Sequence, residues 1–194
     1  MNFLKNIYIW TLKKAEHKNA KWYLSLISFA ESSFFPIPPD ILLIPMALAS
    51  KTKALFYAFI CTLSSVLGGI FGYAIGYFFF NSIGLYIVEF YHLENSFSIF
   101  ENYYKEFGIL IVLGAGITPF PYKFITIASG VFGLIIYLFV IVSIIGRGLR
   151  FYLIAILLYF FGEKIKLFID KYFNILSIIF FILLVGSVFI IRFL

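Results

Sequence analysis

Charged residues are scarce in this 194-residue chain: Asp, Glu, Lys and Arg together make up 12% of it, against 63% hydrophobic residues and a mean hydropathy of +1.04. Soluble domains carry about a quarter charged residues, so the scarcity excludes one and leaves an integral membrane protein. Cysteine is nearly missing. Cys61 stands alone in an apolar run, so the chain has neither a disulfide framework nor a thiolate metal site. Histidine is confined to His17 in a basic segment and His92 in an acidic one, with no catalytic neighbour for either. An enzyme, a metal centre and a cofactor are therefore not expected. Acidic residues are the minority charge, and the formal net charge is +6. The basic excess lies in short loops, where it reads as a topology and anionic-lipid signal and not as a nucleic-acid footprint.

What the chain does contain is apolar runs interrupted by prolines. Residues 1–23 alternate Phe3, Leu4, Ile7 and Trp10 with lysines and read as a basic amphipathic helix on the membrane surface, anchored by Trp10 and Trp22. The runs Leu24 to Phe35 and Ile37 to Ser50 flank "FFPIPPD" at 34–40. A span needs about 20 residues, so two shorter runs broken by proline predict a re-entrant hairpin. Ala54 to Phe80 is long enough to cross. It carries Ser64, Gly68, Gly72 and Gly76 at every fourth position, a face suited to close helix packing within one chain or between two copies. An acidic segment, 81–106, precedes a second interrupted pair, Phe107 to Thr118 and Phe124 to Phe132, parted by "TPFPYK" at 118–123. Leu134 to Phe161 can cross, and Phe173 to Ile191 forms a last span. The lysines at the N-terminus, at 51 and 53, and at 164, 166 and 171 place those segments and the N-terminus in the cytoplasm.

The two interrupted segments overlay. Pro36 and Pro38 match Pro119 and Pro121 at one common offset, which also sets Asp40 opposite Lys123. Proline-interrupted short segments at matching places in two halves are the best sequence pointer to a transporter's binding site. The expected fold is an all-α polytopic membrane protein forming a single domain over 1–194. It holds two inverted repeats, 24–80 and 107–162, each a re-entrant hairpin plus a transmembrane helix, with an N-terminal amphipathic helix and a C-terminal transmembrane helix. Pro36, Pro38, Pro39, Pro119 and Pro121 are the expected shaping and gating residues of the hairpins.

Five charges lie in or beside apolar segments: Glu31, Asp40, Lys123, Arg147 and Arg150. Arg147 sits near the centre of its run, too deep to snorkel to either surface. An arginine there costs roughly 2.5 to 3.5 kcal/mol even on translocon-based scales, so it is expected to have a function. Arg147 and Arg150 are one helical turn apart and share a face, offering two guanidinium forks to one ligand. Phosphate suits that geometry. A desolvated carboxylate exchanges its proton near neutral pH, which makes Glu31 and Asp40 the expected proton-coupling residues. The competing expectation is that both carboxylates simply neutralise the arginines in static pairs.

The segments "ESSFFPIPPD" at 31–40, "TPFPYKFITIASG" at 118–130 and "GRGLRFYL" at 146–153 resemble the DedA family of membrane proteins, most closely its YqaA-like branch. The resemblance runs from about Ala15 to Phe161. It implies two oppositely entering hairpins, a place in the bacterial cytoplasmic membrane, and translocation of undecaprenyl phosphate or a phospholipid between leaflets, with relatives that act as scramblases. It assigns the membrane-embedded acidic positions to Glu31 and Asp40 and the arginine positions to Arg147 and Arg150. The expected function is a phospho-lipid transporter in which Arg147 and Arg150 clamp the phosphate, Lys123 assists and protons serve as a coupling partner. An ion-coupled small-solute carrier, a proton antiporter and a non-transporting membrane scaffold are the other classes that fit the residues.

Overall fold

A computed structural model describes residues 19–35, 37–80, 84–90, 94–118, 120–162 and 164. Most of the expected N-terminal amphipathic helix, the expected C-terminal span, Pro36 and Pro119 lie outside the described residues. Among the described residues the fold is all-helical, with no strand.

Helix α1, Ala20–Ser33, begins four residues earlier than the apolar pattern suggests, so Lys21 and Trp22 belong to it and not to a separate surface helix. It ends where Phe34 and Phe35 both donate their backbone N–H to the Ala30 carbonyl, ahead of the prolines. Helix α2, Asp40–Ala49, starts on the carbonyl of Pro39, which accepts from Leu42 and Leu43. The fixed φ of proline suits a helix start, and Asp40 in the first turn faces the positive end of the helix dipole. At 14 and 10 residues these helices are about 21 and 15 Å long. Both fall short of the roughly 30 Å hydrocarbon thickness.

A 3₁₀ turn, Lys51–Lys53, leads into helix α3, Ala54–Phe79. Helix α4, Leu85–Phe90, is short, and helix α5, Glu94–Ile117, takes in the second half of the acidic segment as well as the apolar run after it. Helix α6, Tyr122–Val131, closes with Gly133 at φ 65°, the left-handed position that suits glycine. Leu134 there donates to the Ser129 carbonyl and Gly133 to that of Gly130, a Schellman pair that consumes the last carbonyls of α6. Helix α7, Ile136–Gly162, follows at once. Among the described residues two helices are long and apolar enough to cross a membrane, α3 with its leading turn (29 residues) and α7 (27 residues). Their outward faces carry exposed Phe56, Phe59, Leu63, Leu67, Ile145, Leu149, Leu153 and Phe160.

The packing has a definite sense. Ser28 donates to the Cys61 carbonyl and Ser33 to the Gly68 carbonyl, so α1 runs alongside α3 in the same direction, ending near its middle. Gly108 lies against Leu134, Gly116 against Gly146, and Thr118 meets Arg150, so α5 accompanies α7 in the same way. Arg147 meets Ser65 while Gly162 lies against Lys51, so α3 and α7 run in opposite directions.

The small-residue face of α3 turns inward. A Cβ at Gly68 would strike the Phe29 carbonyl, one at Gly72 the Thr126 hydroxyl and one at Gly76 the Ile127 carbonyl. The face therefore packs within one chain, holding α1 on one side and α6 on the other. Two apolar clusters flank the molecule's middle. One joins Leu24, Leu43, Met46, Ala58, Cys61, Phe151 and Ala155, and the other Val112, Ala115, Tyr122 and Phe139.

Candidate functional site

Between those clusters lies a group of charges. Glu31, in the last turn of α1, is 7% exposed; Arg147, near the middle of α7, is 0% exposed and the largest fully buried side chain among the described residues. Its Nη2 donates to Glu31 Oε2 at 2.5 Å and its Nε to Ser65 Oγ at 2.6 Å. Its Nη1 has no hydrogen-bond partner among the described residues. The guanidinium lies between the rings of Tyr122, 4.9 Å away, and Phe151, 4.7 Å away, which supply cation–π attraction where water is excluded.

One turn along, Arg150 Nη2 pairs with Asp40 at the start of α2, and its Nη1 donates to the Thr118 carbonyl at 2.9 Å. Side-chain exposure of 13% for Arg150 and 18% for Asp40 makes this the accessible pair of the two. The second Asp40 oxygen, Oδ1, is buried and has no partner among the described residues. Both guanidinium groups approach the Phe151 ring, at 4.7 and 5.9 Å, so the two forks do converge as their spacing predicts.

The local reasons are plain. Positions 147 and 150 share a face of α7. Glu31 precedes the proline break by a turn, and Asp40 follows it directly, so the two limbs of one hairpin present one carboxylate each to the same helix. Thr118 belongs to the segment between α5 and α6, and Tyr122 opens α6, so the turn of the second hairpin reaches the same arginines. Tyr122 is held by a 2.7 Å hydrogen bond between its hydroxyl and that of Ser143.

Of the residues expected from sequence, Glu31, Asp40, Arg147 and Arg150 come together. Lys123 does not join them in any ion pair described: it is half-buried on α6 with its Nζ 5.3 Å from the Phe124 ring. Pro39 is buried at the start of α2 and Pro121 is exposed immediately before α6, while Pro38 is half-buried two residues ahead of α2. Sequence reasoning missed Ser32, Ser65, Tyr122, Phe151 and Thr118. The two Ser-Ser pairs at 32–33 and 64–65, polar dipeptides within apolar runs, were the available signal for the first two. Among the described residues no three His, Cys, Asp or Glu side chains gather as a metal site would require.

Chemically, the arrangement is two guanidinium groups and two carboxylates in a dry environment, each cation answered by one anion. Such pairs are costly to form but costlier to break by halves. An incoming oxyanion could replace either carboxylate on its fork.

No family model matches the chain, and no solved structure matches it. An uncharacterized protein of Haemophilus influenzae is 37% identical over 164 residues, covering 84% of this chain and 85% of its own length. An uncharacterized protein of Histophilus somni is 36% identical over 167 residues, with 84% and 85% covered. With more than a third of residues identical along most of each chain, the protein belongs to one family with these Haemophilus and Histophilus proteins.

Proposed function

We propose that the protein is a membrane transporter that carries a phosphate-bearing lipid, undecaprenyl phosphate or a phospholipid, between leaflets of the bacterial cytoplasmic membrane. The observation that carries this reading is Arg147: a cation fully buried midway along a helix long enough to cross a membrane, paired to Glu31 and with one guanidinium nitrogen unpartnered. A buried arginine that served packing alone would have its donors filled.

The helix directions support an inverted repeat. Each short hairpin runs alongside the long helix that follows it, and those two helices are opposed, so the hairpins dip from opposite faces and their turns meet at the arginines. In that reading the half-length limbs α1, α2 and α6 are re-entrant, the 24-residue α5 enters with its apolar second half, the charges lie at mid-depth, and the DedA resemblance supplies the substrate class. Arg150 makes first contact with the phosphate because its pair is the accessible one. Arg147 follows when Glu31 lets go, and the lipid's tail stays in the bilayer throughout.

The test is leaflet exchange of labelled undecaprenyl phosphate and labelled phosphatidylglycerol in vesicles containing the purified full chain. Exchange above protein-free vesicles, abolished in Arg150→Ala, is the expected result, and the label preferred identifies the lipid. Equal exchange by Arg150→Ala and the parent protein would refute the clamp.

A further inference from the structure

The Arg147–Glu31 pair does not stand alone, because two serine hydroxyls close it into a ring. Arg147 Nε lies 2.6 Å from Ser65 Oγ, Ser65 Oγ lies 2.6 Å from Ser32 Oγ, Ser32 Oγ lies 3.1 Å from Glu31 Oε2, and that oxygen returns to Arg147 Nη2 at 2.5 Å. All four residues are buried, and they come from α1, α3 and α7.

The inventory of protons orients the ring. Arginine can only donate, so Ser65 Oγ accepts from Nε–H. Each serine has one proton. If Ser32 gives its proton to Glu31, the hydrogen between the serines must be that of Ser65. Every bond then points toward Glu31 Oε2, which accepts twice and donates nothing. In that orientation both hydrogen bonds to Oε2 are strongest when Glu31 is an ionised carboxylate. A proton on Oε2 would face two donors, Nη2–H and Ser32 O–H. Turning Ser32 round would leave Ser65 accepting from both Arg147 Nε–H and Ser32, with its own proton turned out of the ring. A proton on Oε1 would leave Oε2 as an acceptor but remove the charge that holds the guanidinium.

We propose that Ser32 and Ser65 are positioning residues that bind Arg147 to the ionised state of Glu31, so that taking up a proton at Glu31 loosens the hold of the ring on Arg147. Resting on the transport reading above, protonation then frees Nη2 beside the already unpartnered Nη1, and the guanidinium becomes available to an oxyanion. The other titratable or charged groups that act on the Glu31–Arg147 pair are Asp40 on α2, Cys61 on α3, Tyr122 on α6 and Arg150 on α7. Asp40 is already engaged by Arg150, and none of the others enters the ring.

The experiment follows the carboxylic-acid infrared band of Glu31, assigned as the one missing in Glu31→Gln, during a pH titration of the full-length protein in phosphatidylglycerol-containing nanodiscs. A serine that merely packs would leave the midpoint in place. Here Ser65→Ala raises the midpoint by about one pH unit, the equivalent of one hydrogen bond to a charged group. Ser65→Thr, which keeps a hydroxyl on Cβ, restores it, and Ser32→Ala, which opens the ring from its other side, also raises it. Midpoints unchanged in both alanine variants would overturn the proposal, as would a Glu31 band that never titrates between about pH 3 and 9. No lipid has to move in this measurement. A shifted midpoint with no leaflet exchange would leave the relay standing and remove the transport reading, and the opposite result would do the reverse.

Discussion

At the scale of single residues, the two ion pairs differ in what surrounds them. Arg147 is sealed between Tyr122 and Phe151 with its partner Glu31, whereas Arg150 and Asp40 keep some exposure. Removing one member of a sealed pair strands the other charge, at a cost of about 3–5 kcal/mol. We therefore expect Arg147→Ala to lower unfolding stability in detergent by that amount and Glu31→Gln in the same chain to recover part of it. Arg150→Ala should cost about 1–3 kcal/mol, since Asp40 can turn to water. Denaturant unfolding of the three variants beside the parent protein checks the ranking; equal losses for the two arginines would show that their environments are alike. Glu31, Asp40, Arg147 and Arg150 were legible in the sequence because charge inside an apolar run is conspicuous. Ser32 and Ser65 were not, because a serine in a membrane helix satisfies itself on its own backbone as readily as on a neighbour. Only the approach of α1 to α3 distinguishes the two.

At the scale of helices, the backbone of α3 is the surface on which α1 and α6 rest. Gly68 admits the Phe29 carbonyl where any side chain would collide with it, and backbone cannot swing aside as a side-chain tip can. Gly68→Ala should cost about 1–3 kcal/mol through overpacking. Gly114, exposed on α5 with nothing near its missing Cβ, is the control: Gly114→Ala should be neutral or stabilise by up to about 1 kcal/mol through helix propensity. Thermal unfolding of both variants separates close approach from glycine content. The spacing of Ser64, Gly68, Gly72 and Gly76 made a packing face predictable, but not whether its partner was in the same chain. Periodicity describes one helix's surface and is silent about what lies against it.

At the scale of the whole molecule, the consequence of opposed long helices is a two-sided arrangement. In the proposed topology Lys53 and Lys164 lie on one side of the membrane and Phe132 on the other. In a Cys61→Ser background, cysteines at positions 53 and 164 should react with an impermeant thiol reagent from one side only, and a cysteine at 132 from the opposite side only. Labelling of 53 and 132 from the same side would exclude the inverted arrangement. Two helices long and apolar enough to cross a membrane and two interrupted segments were readable in advance because length, hydropathy and proline placement are local properties. The extent of α5 was not, because the acidic residues before Phe107 dilute hydropathy without weakening helix formation.

Sequence alone determined the all-helical class, the helices long and apolar enough to cross a membrane, the proline breaks and the four charges set in or beside apolar runs, since each follows from composition or from spacing along one chain segment. Tertiary structure decided which carboxylate meets which arginine, that Lys123 stands apart from them, and that two serines join Glu31 and Arg147 into a ring. Those outcomes depend on how far α1 reaches along α3 and how α7 crosses it. Pairing across 116 positions of chain, as between Glu31 and Arg147, is fixed by packing and leaves no trace in local pattern.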